Sequence, residues 1–297
     1  MKALLLINEK SGAVQKSGVD TIAAMAREMA SSKIDLTIID GDAPKLIDAA
    51  KSHDVVDVIA AAGGDGTQAA IAGALMHKQT ALLPLPCGTM NLLCRELNIP
   101  LDIKAALRDG FRGEKTTIDV GVVGGRVFLN NVVFGAYADL AEAREELREA
   151  ETLQDLSFSV VAAADALMNA DPVKFRVIAD GETFNMETNT IAISNNEISH
   201  ADGLIPMRST LSGGKLAAYL ADATDARAFA TLLADFARGA AEQSDAVRVV
   251  TASKCVVGAQ GARFSYSIDG DPVESDKDIT LEIRTNALTV MRTRADA

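Results

Sequence analysis

Up to about residue 115, short apolar runs alternate with stretches of helical periodicity. The apolar runs have the length and the β-branched or aliphatic content of buried strands, and the stretches between them repeat their apolar positions every three to four residues. Strands that alternate with helices are typical of a parallel sheet covered on both faces. The predicted strands lie at residues 3–7, 34–39, 55–61 and 80–85, and the predicted helices at residues 17–31, near 43–52 and after residue 67.

The pattern changes near residue 115. Residues 118–123 and 127–134, joined by Gly124-Gly125, are typical of a β-hairpin. Asp180-Gly181 and Asp269-Gly270 fall between strand patterns, as two-residue hairpin turns do. The sequence therefore predicts an α/β domain followed by a β-rich domain. Further strands are expected at residues 173–179, 189–194, 215–220, 247–251, 254–258, 263–268, 279–283 and 287–291, and helices at 138–150, 155–169 and 225–238.

Composition narrows the possible partners. The 297 residues are enough for about two domains. A net charge of −12 disfavours nucleic acid and strong attraction to anionic membranes. Three histidines far apart in sequence, together with scattered cysteines, disfavour a zinc site. Three cysteines, an odd and sparse count, give no disulfide framework and fit a reducing cytoplasm. No apolar run approaches the roughly 20 residues of a membrane span, and the first residues do not resemble a signal peptide.

The sequence Gly63-Gly64-Asp65-Gly66-Thr67 follows a predicted strand and opens a predicted helix. Glycines let the backbone approach a phosphate closely, and a helix N-terminus offers N–H groups and the positive end of its dipole. Thr67 can cap the helix or donate to a phosphate oxygen. Asp65 is repelled by a phosphate unless a divalent cation or ordered water lies between them. The loop indicates a nucleotide site, although a glycine turn in which Asp65 and Thr67 are helix caps explains the same residues.

Two common nucleotide motifs do not account for this loop. Gly64, Gly66 and Ala69 fit G-x-G-x-x-G/A, but that fingerprint expects an acid about 20 residues later, at the end of the next strand. The next strand ends in Leu-Pro-Leu-Pro at residues 83–86, which disfavours a dehydrogenase. G-x-x-x-x-G-K-[ST] does not occur, so a P-loop enzyme is not predicted.

Two other polar loops with glycine follow predicted strands. Because the carboxyl ends of neighbouring parallel strands face one crevice, we expect these loops and the GGDGT loop to surround one ligand. The candidate nucleotide contacts in them are Asn8, Ser11 and Gly12 in the loop that precedes GGDGT, and Gly88, Thr89 and Asn91 in the loop that follows it along the chain.

Taken together, these motifs resemble the diacylglycerol kinase catalytic-domain family, which includes bacterial lipid kinases, sphingosine kinases and ceramide kinases. Residues 8–12 resemble its N-P-x-S-G motif with Glu9 in place of proline, and residues 63–67 match GGDGT. Residues 85–95 resemble L-P-x-G-T-x-N-D-F-A-R with Leu92 in place of aspartate. GGDGT alone is shared with NAD kinases, so the ordered set carries the resemblance.

The resemblance extends into the second domain. Residues 118–121 resemble I-D-x-G, and residues 269–271 resemble D-G-E with Asp271 in place of glutamate. The family often carries D-D-G, linked to a structural metal, where this chain has Ser212-Gly213-Gly214. This difference argues against that structural metal here.

The resemblance implies two domains, with ATP and substrate meeting in the cleft between them. It implies a nucleotide-binding domain of residues 1–120 plus about 278–297, and a β-rich lipid-substrate domain of residues 121–277. By position, Asp65, Asp119 and Asp271 match residues linked to Mg²⁺ and its water network, and Asp269 matches the proposed general base.

The implied activity is transfer of the γ-phosphate of ATP to a hydroxyl of diacylglycerol, ceramide or a sphingoid base. Two alternatives stay open: an NAD kinase, which shares GGDGT, and a catalytically inactive nucleotide- or lipid-binding regulator. The second is motivated by the substitutions at Glu9, Leu92, Asp271 and Ser212. We expect a cytoplasmic protein that touches the membrane peripherally, with homodimer formation left open.

Overall fold

The chain divides into two compact units, Met1–Val120 with Thr285–Ala297, and Gly121–Arg284. The first unit is α/β with parallel strands and the second is β-rich, which confirms the fold class predicted from the sequence. The helices predicted at 138–150, 155–169 and 225–238 lie outside the residues that the structure describes. The structure, a computed structural model, describes residues 1–30, 33–53, 55–88, 90–135, 172–202, 205–208, 210–221, 247–259 and 263–294.

The sheet of the first unit has the strand order β2-β1-β3-β4-β18, with parallel pairing throughout. Every residue of β3 and β4 is buried, as expected for central strands with helices on both faces. Only the part of β18 from Thr285 onward belongs to this unit, and there Val290 pairs with Leu82. The bounds are Lys2–Asn8 for β1, Asp35–Gly41 for β2, Val58–Gly63 for β3, Ala81–Pro86 for β4 and Ile279–Arg292 for β18.

The helices of this unit begin at recognisable signals. The carboxylate of Asp42 accepts a hydrogen bond from the Lys45 N–H at 3.3 Å at the start of α3, and Asp102 accepts one from the Ala105 N–H at 2.8 Å at the start of α6. None of the helices in the described parts of the chain combines the length and apolar character that crossing a membrane requires. The helices are α1 Gly12–Ser17, α2 Val19–Met29, α3 Ala43–Ser52, α4 Asp65–Leu75, α5 Leu92–Glu96 and α6 Ile103–Gly110.

The second unit contains an antiparallel sheet in the order β14-β13-β10-β7-β16-β17, together with the antiparallel ladder of β18, β15, β8 and β9. Aromatic rings from both pack in one core: Phe134 stacks on Tyr266 at 5.4 Å, and Phe175 meets Phe264 edge-on at 5.9 Å. Strand β5, Glu114–Val123, begins in the first unit and ends in the second. The other strands of the second unit are β6 Arg126–Phe128, β7 Asn131–Gly135, β8 Val173–Ala179, β9 Glu182–Thr188, β10 Thr190–Asn195, β11 Ile198–Asp202, β12 Ile205–Arg208, β13 Leu216–Ala221, β14 Val247–Ala252, β15 Lys254–Ala259, β16 Phe264–Ile268 and β17 Asp271–Ser275.

Three strand predictions need correction. The second strand of the predicted hairpin, residues 127–134, is broken into β6 and β7, which pair in different sheets. The strands predicted at 279–283 and 287–291 are one strand, β18, with Asn286 at φ +48° inside it. Strand β3 begins at Val58, and Val55, which was predicted to lie in it, is 76% exposed.

Candidate active site

Side-chain hydrogen bonds join the three glycine-containing loops at the carboxyl ends of β1, β3 and β4. The Asn8 amide donates to the Thr67 hydroxyl at 2.7 Å, which connects the first loop to the GGDGT loop. The Ser11 hydroxyl donates to the Cys87 carbonyl at 2.9 Å, which connects the first loop to the third. Because β1, β3 and β4 are neighbours in the sheet, the loops that follow them lie side by side, and these bonds hold them there.

Gln68 is a site residue that the sequence reasoning missed. Its side chain is 1% exposed and donates to the Gly63 carbonyl at 3.1 Å and to the Leu85 carbonyl at 2.9 Å. It therefore ties the end of β3 to the end of β4, beneath the second and third loops. The sequence did contain a signal for this role: Gln68 is an amide among the apolar positions of α4, and a buried amide must find hydrogen-bond partners.

The glycines of the loops have different surroundings. A Cβ on Gly63 would meet Thr67 at 2.7 Å, so this glycine lets the threonine pack against the strand end. A Cβ on Gly12 or Gly64 would have nothing within 4 Å. Gly64 is also the N-cap of α4, and no side chain caps this helix. The capping interpretation of Asp65 and Thr67 is therefore not what the structure shows, and the first turn of α4 keeps its N–H groups for another acceptor.

Asp65 stands at the start of α4 with an unsatisfied oxygen. Its Oδ1 is buried and accepts no hydrogen bond from the described residues. Its Oδ2 would lie 3.1 Å from a Cβ on Gly88, so the second and third loops are in close approach at this carboxylate. Burial raises the pKa of Asp65, and its own backbone N–H opposes the shift only in part. A buried, unsatisfied carboxylate is costly unless a ligand, cation or water completes it.

The third loop is closed on itself by Asn91. Its Oδ1 accepts from the Gly88 N–H at 2.8 Å, and its Nδ2 donates to the Gly88 carbonyl at 2.7 Å. Asn91 has φ +50°, a conformation that asparagine tolerates better than most residues. Its side chain thus braces the loop, and nucleotide contact by Asn91 stays a prediction. Thr89, also predicted to contact the nucleotide, lies outside the described residues.

Two reactive side chains near the loops have ordinary roles. The Lys10 ammonium lies 3.7 Å from the Asp42 carboxylate on the exposed surface. Cys87 is 2% exposed, and burial raises the pKa of its thiol to about 12. Burial therefore disfavours the thiolate, which argues against Cys87 as a nucleophile.

Asp119 is engaged with the backbone of β18. It is 1% exposed, and its Oδ1 accepts from the Asn286 N–H at 2.8 Å. The Asn286 amide in turn accepts from the Thr117 hydroxyl at 3.1 Å. These bonds stabilise the positive-φ residue inside β18, and the predicted link of Asp119 to Mg²⁺ stays a prediction.

The Asp269-Gly270 pair forms the predicted hairpin turn, with φ +46° and +90° between β16 and β17. The Asp269 carboxylate also accepts three backbone N–H groups, from residues Leu129, Asn130 and Asn131, at 2.7, 2.8 and 3.0 Å. These bonds explain why the strand predicted at 127–134 breaks, since the N–H groups at the break face a carboxylate. Asp271 is more open: its side chain is 47% exposed and lies 3.6 Å from the Arg126 guanidinium.

The comparisons with known proteins agree with this architecture. A family model for the diacylglycerol kinase catalytic domain matches residues 2–123. A second model, the YegS C-terminal NAD kinase beta sandwich-like domain, matches residues 130–292. The chain belongs to the diacylglycerol kinase catalytic-domain family. Its β-rich second unit is the YegS-type C-terminal domain, which accounts for the sandwich of two sheets described above.

Three named relatives are similar to parts of the chain. A "Probable lipid kinase YegS-like" protein of Klebsiella pneumoniae is 30% identical over 206 residues, covering 68% of this chain and 67% of that protein. A protein of the same name from Cronobacter sakazakii is 30% identical over 55% of this chain and 54% of its own length. A diacylglycerol kinase of Staphylococcus aureus is 27% identical over 52% of this chain and 49% of its own length. The chain thus spans about half the length of the last two.

A solved structure extends the fold likeness to the whole chain. A candidate diacylglycerol kinase from Bacillus anthracis str. Sterne superposes with a TM-score of 0.80 at 19% identity, covering 100% of this chain and 96% of that one. At this level of identity the comparison shows a shared fold.

Membership of the diacylglycerol kinase family implies a bound Mg²⁺. One feature of the site residues fits this ion. The buried, unsatisfied Oδ1 of Asp65 suits a cation or a water bound to one. Among the described residues, no group of three or more His, Cys, Asp or Glu side chains is close enough together to hold a metal ion. Asp65, Asp119 and Asp271 therefore do not form a ready-made metal cage, and the segment that replaces D-D-G, Ser212-Gly213-Gly214, carries no carboxylate.

Proposed function

We propose that this protein transfers the γ-phosphate of ATP to a hydroxyl group of a lipid, with diacylglycerol as the first acceptor to test. The observation that carries the proposal is the set of three cross-bonded loops, with open space at Gly12 and Gly64 and an uncapped α4 N-terminus. Such an arrangement suits phosphate groups, which accept hydrogen bonds from N–H groups at a helix start. The names of the relatives motivate the choice of a lipid acceptor.

The loops would contribute positioning, which is most of what phosphoryl transfer requires from a protein. Asn8, Thr67 and Gln68 hold the loops at fixed spacing, so the phosphates meet a preformed surface. Mg²⁺ bound with the nucleotide would neutralise phosphate charge, and Asp65 is the residue that would hold it or its waters. The raised pKa of Asp65 would return toward its usual range once a cation lies beside the carboxylate.

The general base is proposed to come from the turn that contains Asp269 and Asp271. Asp269, the predicted base, already accepts three N–H groups, which leaves its carboxylate less available to a substrate hydroxyl. Asp271 is half-exposed and has one ion-pair partner, Arg126, at 3.6 Å among the contacts of the described residues. Asp271→Asn is the deciding substitution, because Asp269→Asn also leaves one of these three N–H groups without its acceptor. A large loss of turnover in folded Asp271→Asn makes Asp271 the base, and near-normal turnover leaves Asp269. A base typically contributes about 10²–10⁴-fold.

The activity is tested with radiolabelled ATP and Mg²⁺ against separate mixed micelles of diacylglycerol, ceramide and sphingosine, and against NAD⁺ in solution. We expect a labelled phospholipid from one lipid and none from NAD⁺. The control is Asp65→Asn, which should bind the same micelles but lose turnover by orders of magnitude. Phosphorylation of NAD⁺ alone would favour the NAD kinase alternative, and ATP binding without any labelled product would favour the inactive regulator.

A further inference from the structure

The end of β18 in the first unit presents two arginines on one side of the chain. Arg292 and Arg294 are exposed, and Thr293 between them is buried. The Thr293 N–H donates to the Leu97 carbonyl at 3.1 Å, and its hydroxyl donates to the Asn98 carbonyl. Successive side chains of an extended segment point to opposite sides, so both arginines project from the side opposite Thr293.

A third arginine, Arg112, reaches the same place from the end of α6. A Cβ on Gly113 would lie 2.5 Å from the Arg292 carbonyl oxygen, so this glycine lets the chain after α6 pass directly against the end of β18. Arg112 is the exposed residue before Gly113. We call Arg112, Arg292 and Arg294 the arginine cluster.

The arginine cluster gives an acidic protein a basic surface. Residues 101–115 and 292–294 contain six lysines and arginines against three acids, a net charge of +3, whereas the whole chain carries −12. The nearby Asp109 carboxylate already accepts two hydrogen bonds from Arg108, each at 2.7 Å. None of the arginines in the cluster forms an ion pair with a carboxylate of the described residues. Their positive charge is therefore available to an anion.

An exposed leucine lies beside the cluster. Leu101 is 45% exposed and is one of three large apolar side chains that are exposed among the described residues. It follows Asn98, the partner of Thr293, by three residues, which places it within about 11 Å of that contact. Basic residues next to an exposed apolar side chain are typical of proteins that bind the surface of an anionic membrane.

We propose that the arginine cluster and Leu101 bind the surface of an anionic phospholipid membrane, with the arginines on lipid phosphates and Leu101 in the headgroup region. Guanidinium groups match phosphate oxygens with paired N–H donors. Each basic residue near such a surface strengthens binding about fivefold, so a local cluster attracts the membrane although the whole chain is acidic. Leu101 favours a membrane over a soluble phosphate, because only the membrane removes it from water. The choice of a membrane as partner rests on the proposed function, since a lipid acceptor lies in a bilayer.

The position of the cluster suits that function. Val290 pairs in parallel with Leu82 of β4, so the chain at 292–294 leaves the sheet at the edge where the loop after β4 begins. A membrane bound there would lie beside the loops that are proposed to hold the nucleotide.

The test measures sedimentation of the full chain with vesicles of phosphatidylcholine alone and of phosphatidylcholine mixed with phosphatidylglycerol, without ATP or divalent cations. We expect the wild type to prefer the anionic vesicles at low salt and to lose this preference at high salt. Arg292→Gln with Arg294→Gln should weaken binding to the anionic vesicles about 25-fold. The control, Lys174→Gln with Arg248→Gln, removes the same charge from exposed side chains of the second unit and should have little effect. Leu101→Asn should weaken binding to both kinds of vesicle.

Four outcomes overturn the proposal. The first is a wild type without preference for phosphatidylglycerol, and the second is an equal loss in the two double variants, which would mean that total charge sets the binding. The third is unchanged vesicle binding by Leu101→Asn. The fourth is a raised KM for ATP in Arg292→Gln with Arg294→Gln while vesicle binding is unchanged, which would assign these arginines to nucleotide phosphates. Vesicle binding needs no turnover, so a wild type that binds as expected but phosphorylates no lipid would refute the kinase function alone.

Discussion

Replacing Asp269 by asparagine should destabilise the second unit, although asparagine-glycine forms the same turn. Asparagine keeps one oxygen and places an NH₂ group where the second oxygen was. If the retained oxygen accepts from the N–H groups of Asn130 and Asn131, the N–H of Leu129 faces the new NH₂ group, which is also a donor. One buried N–H left unsatisfied costs about 1–3 kcal/mol, and two charge-assisted bonds become neutral ones. Because such terms are not additive, we expect about 2–4 kcal/mol of lost stability.

Asp180 provides a control with the same turn. Asp180-Gly181 has φ +44° and +95° between β8 and β9, nearly the same as Asp269-Gly270. The Asp180 carboxylate accepts from the N–H groups of Ser253 and Lys254 at 2.9–3.1 Å, but it is 44% exposed. Water can replace these bonds, so Asp180→Asn should cost less than about 1 kcal/mol.

The measurement is thermal and urea unfolding of both variants beside the wild type. For a unit of this size, the loss predicted for Asp269→Asn corresponds to a fall of about 5–15 °C in melting temperature. The reasoning is refuted if Asp269→Asn melts with the wild type, or if both variants lose the same stability. The first result would mean that residues 129–131 do not depend on the carboxylate for their position, and the second that the turn alone sets the effect.

Three further predictions concern the loops. Burial raises the pKa of the Asp65 carboxyl, so the contribution of this group to the free energy of unfolding is fully present below its ordinary pKa of 3.8 and is lost as the pH rises through the raised pKa. Asp65→Asn should therefore raise the melting temperature at pH 7–8 without divalent cations, and the gain should narrow as the pH is lowered toward 4. Gly88→Ala puts a Cβ 3.1 Å from the Asp65 carboxylate, and steady-state kinetics should give a kcat/KM for ATP lower by about 10-fold or more with little change in melting temperature. Gln68→Leu removes the amide that donates to the Gly63 and Leu85 carbonyls, although the Leu85 carbonyl keeps the Cys87 N–H at 2.7 Å, so urea unfolding should report a loss of about 1–3 kcal/mol.

The pattern of apolar residues was sufficient to predict the central strands of the first unit, because these strands are buried on both faces. Strands β3 and β4 are uninterrupted apolar runs, and α3 begins at a capping aspartate followed by proline. The two Asp-Gly turns were equally readable, since the pair forms tight turns by its own backbone preferences. These features are local, and a local sequence window contains the information that determines them.

The contacts that the sequence did not reveal are between residues far apart in the chain. Nothing in Leu129 or Asn130 indicates that a carboxylate 140 and 139 positions later would take their N–H groups. The continuity of β18 through Asn286 depends in the same way on Asp119, 167 positions earlier. Such bonds override strand propensity at single residues, where a pattern of apolar positions carries no signal.

Strand β18 has a consequence for how the chain is made. Its first residues pair with β15 in the second unit and its last residues pair with β4 in the first. The ribosome synthesises β18 after every other described strand. During translation, one edge of β4 therefore stays unpaired while about 190 residues are added, which takes on the order of 10–40 s at typical elongation rates. Unpaired edges of apolar strands associate with other chains. A shortened chain ending near residue 123 would keep that edge permanently and should aggregate when expressed, whereas adding residues 279–292 as a separate peptide should improve its solubility.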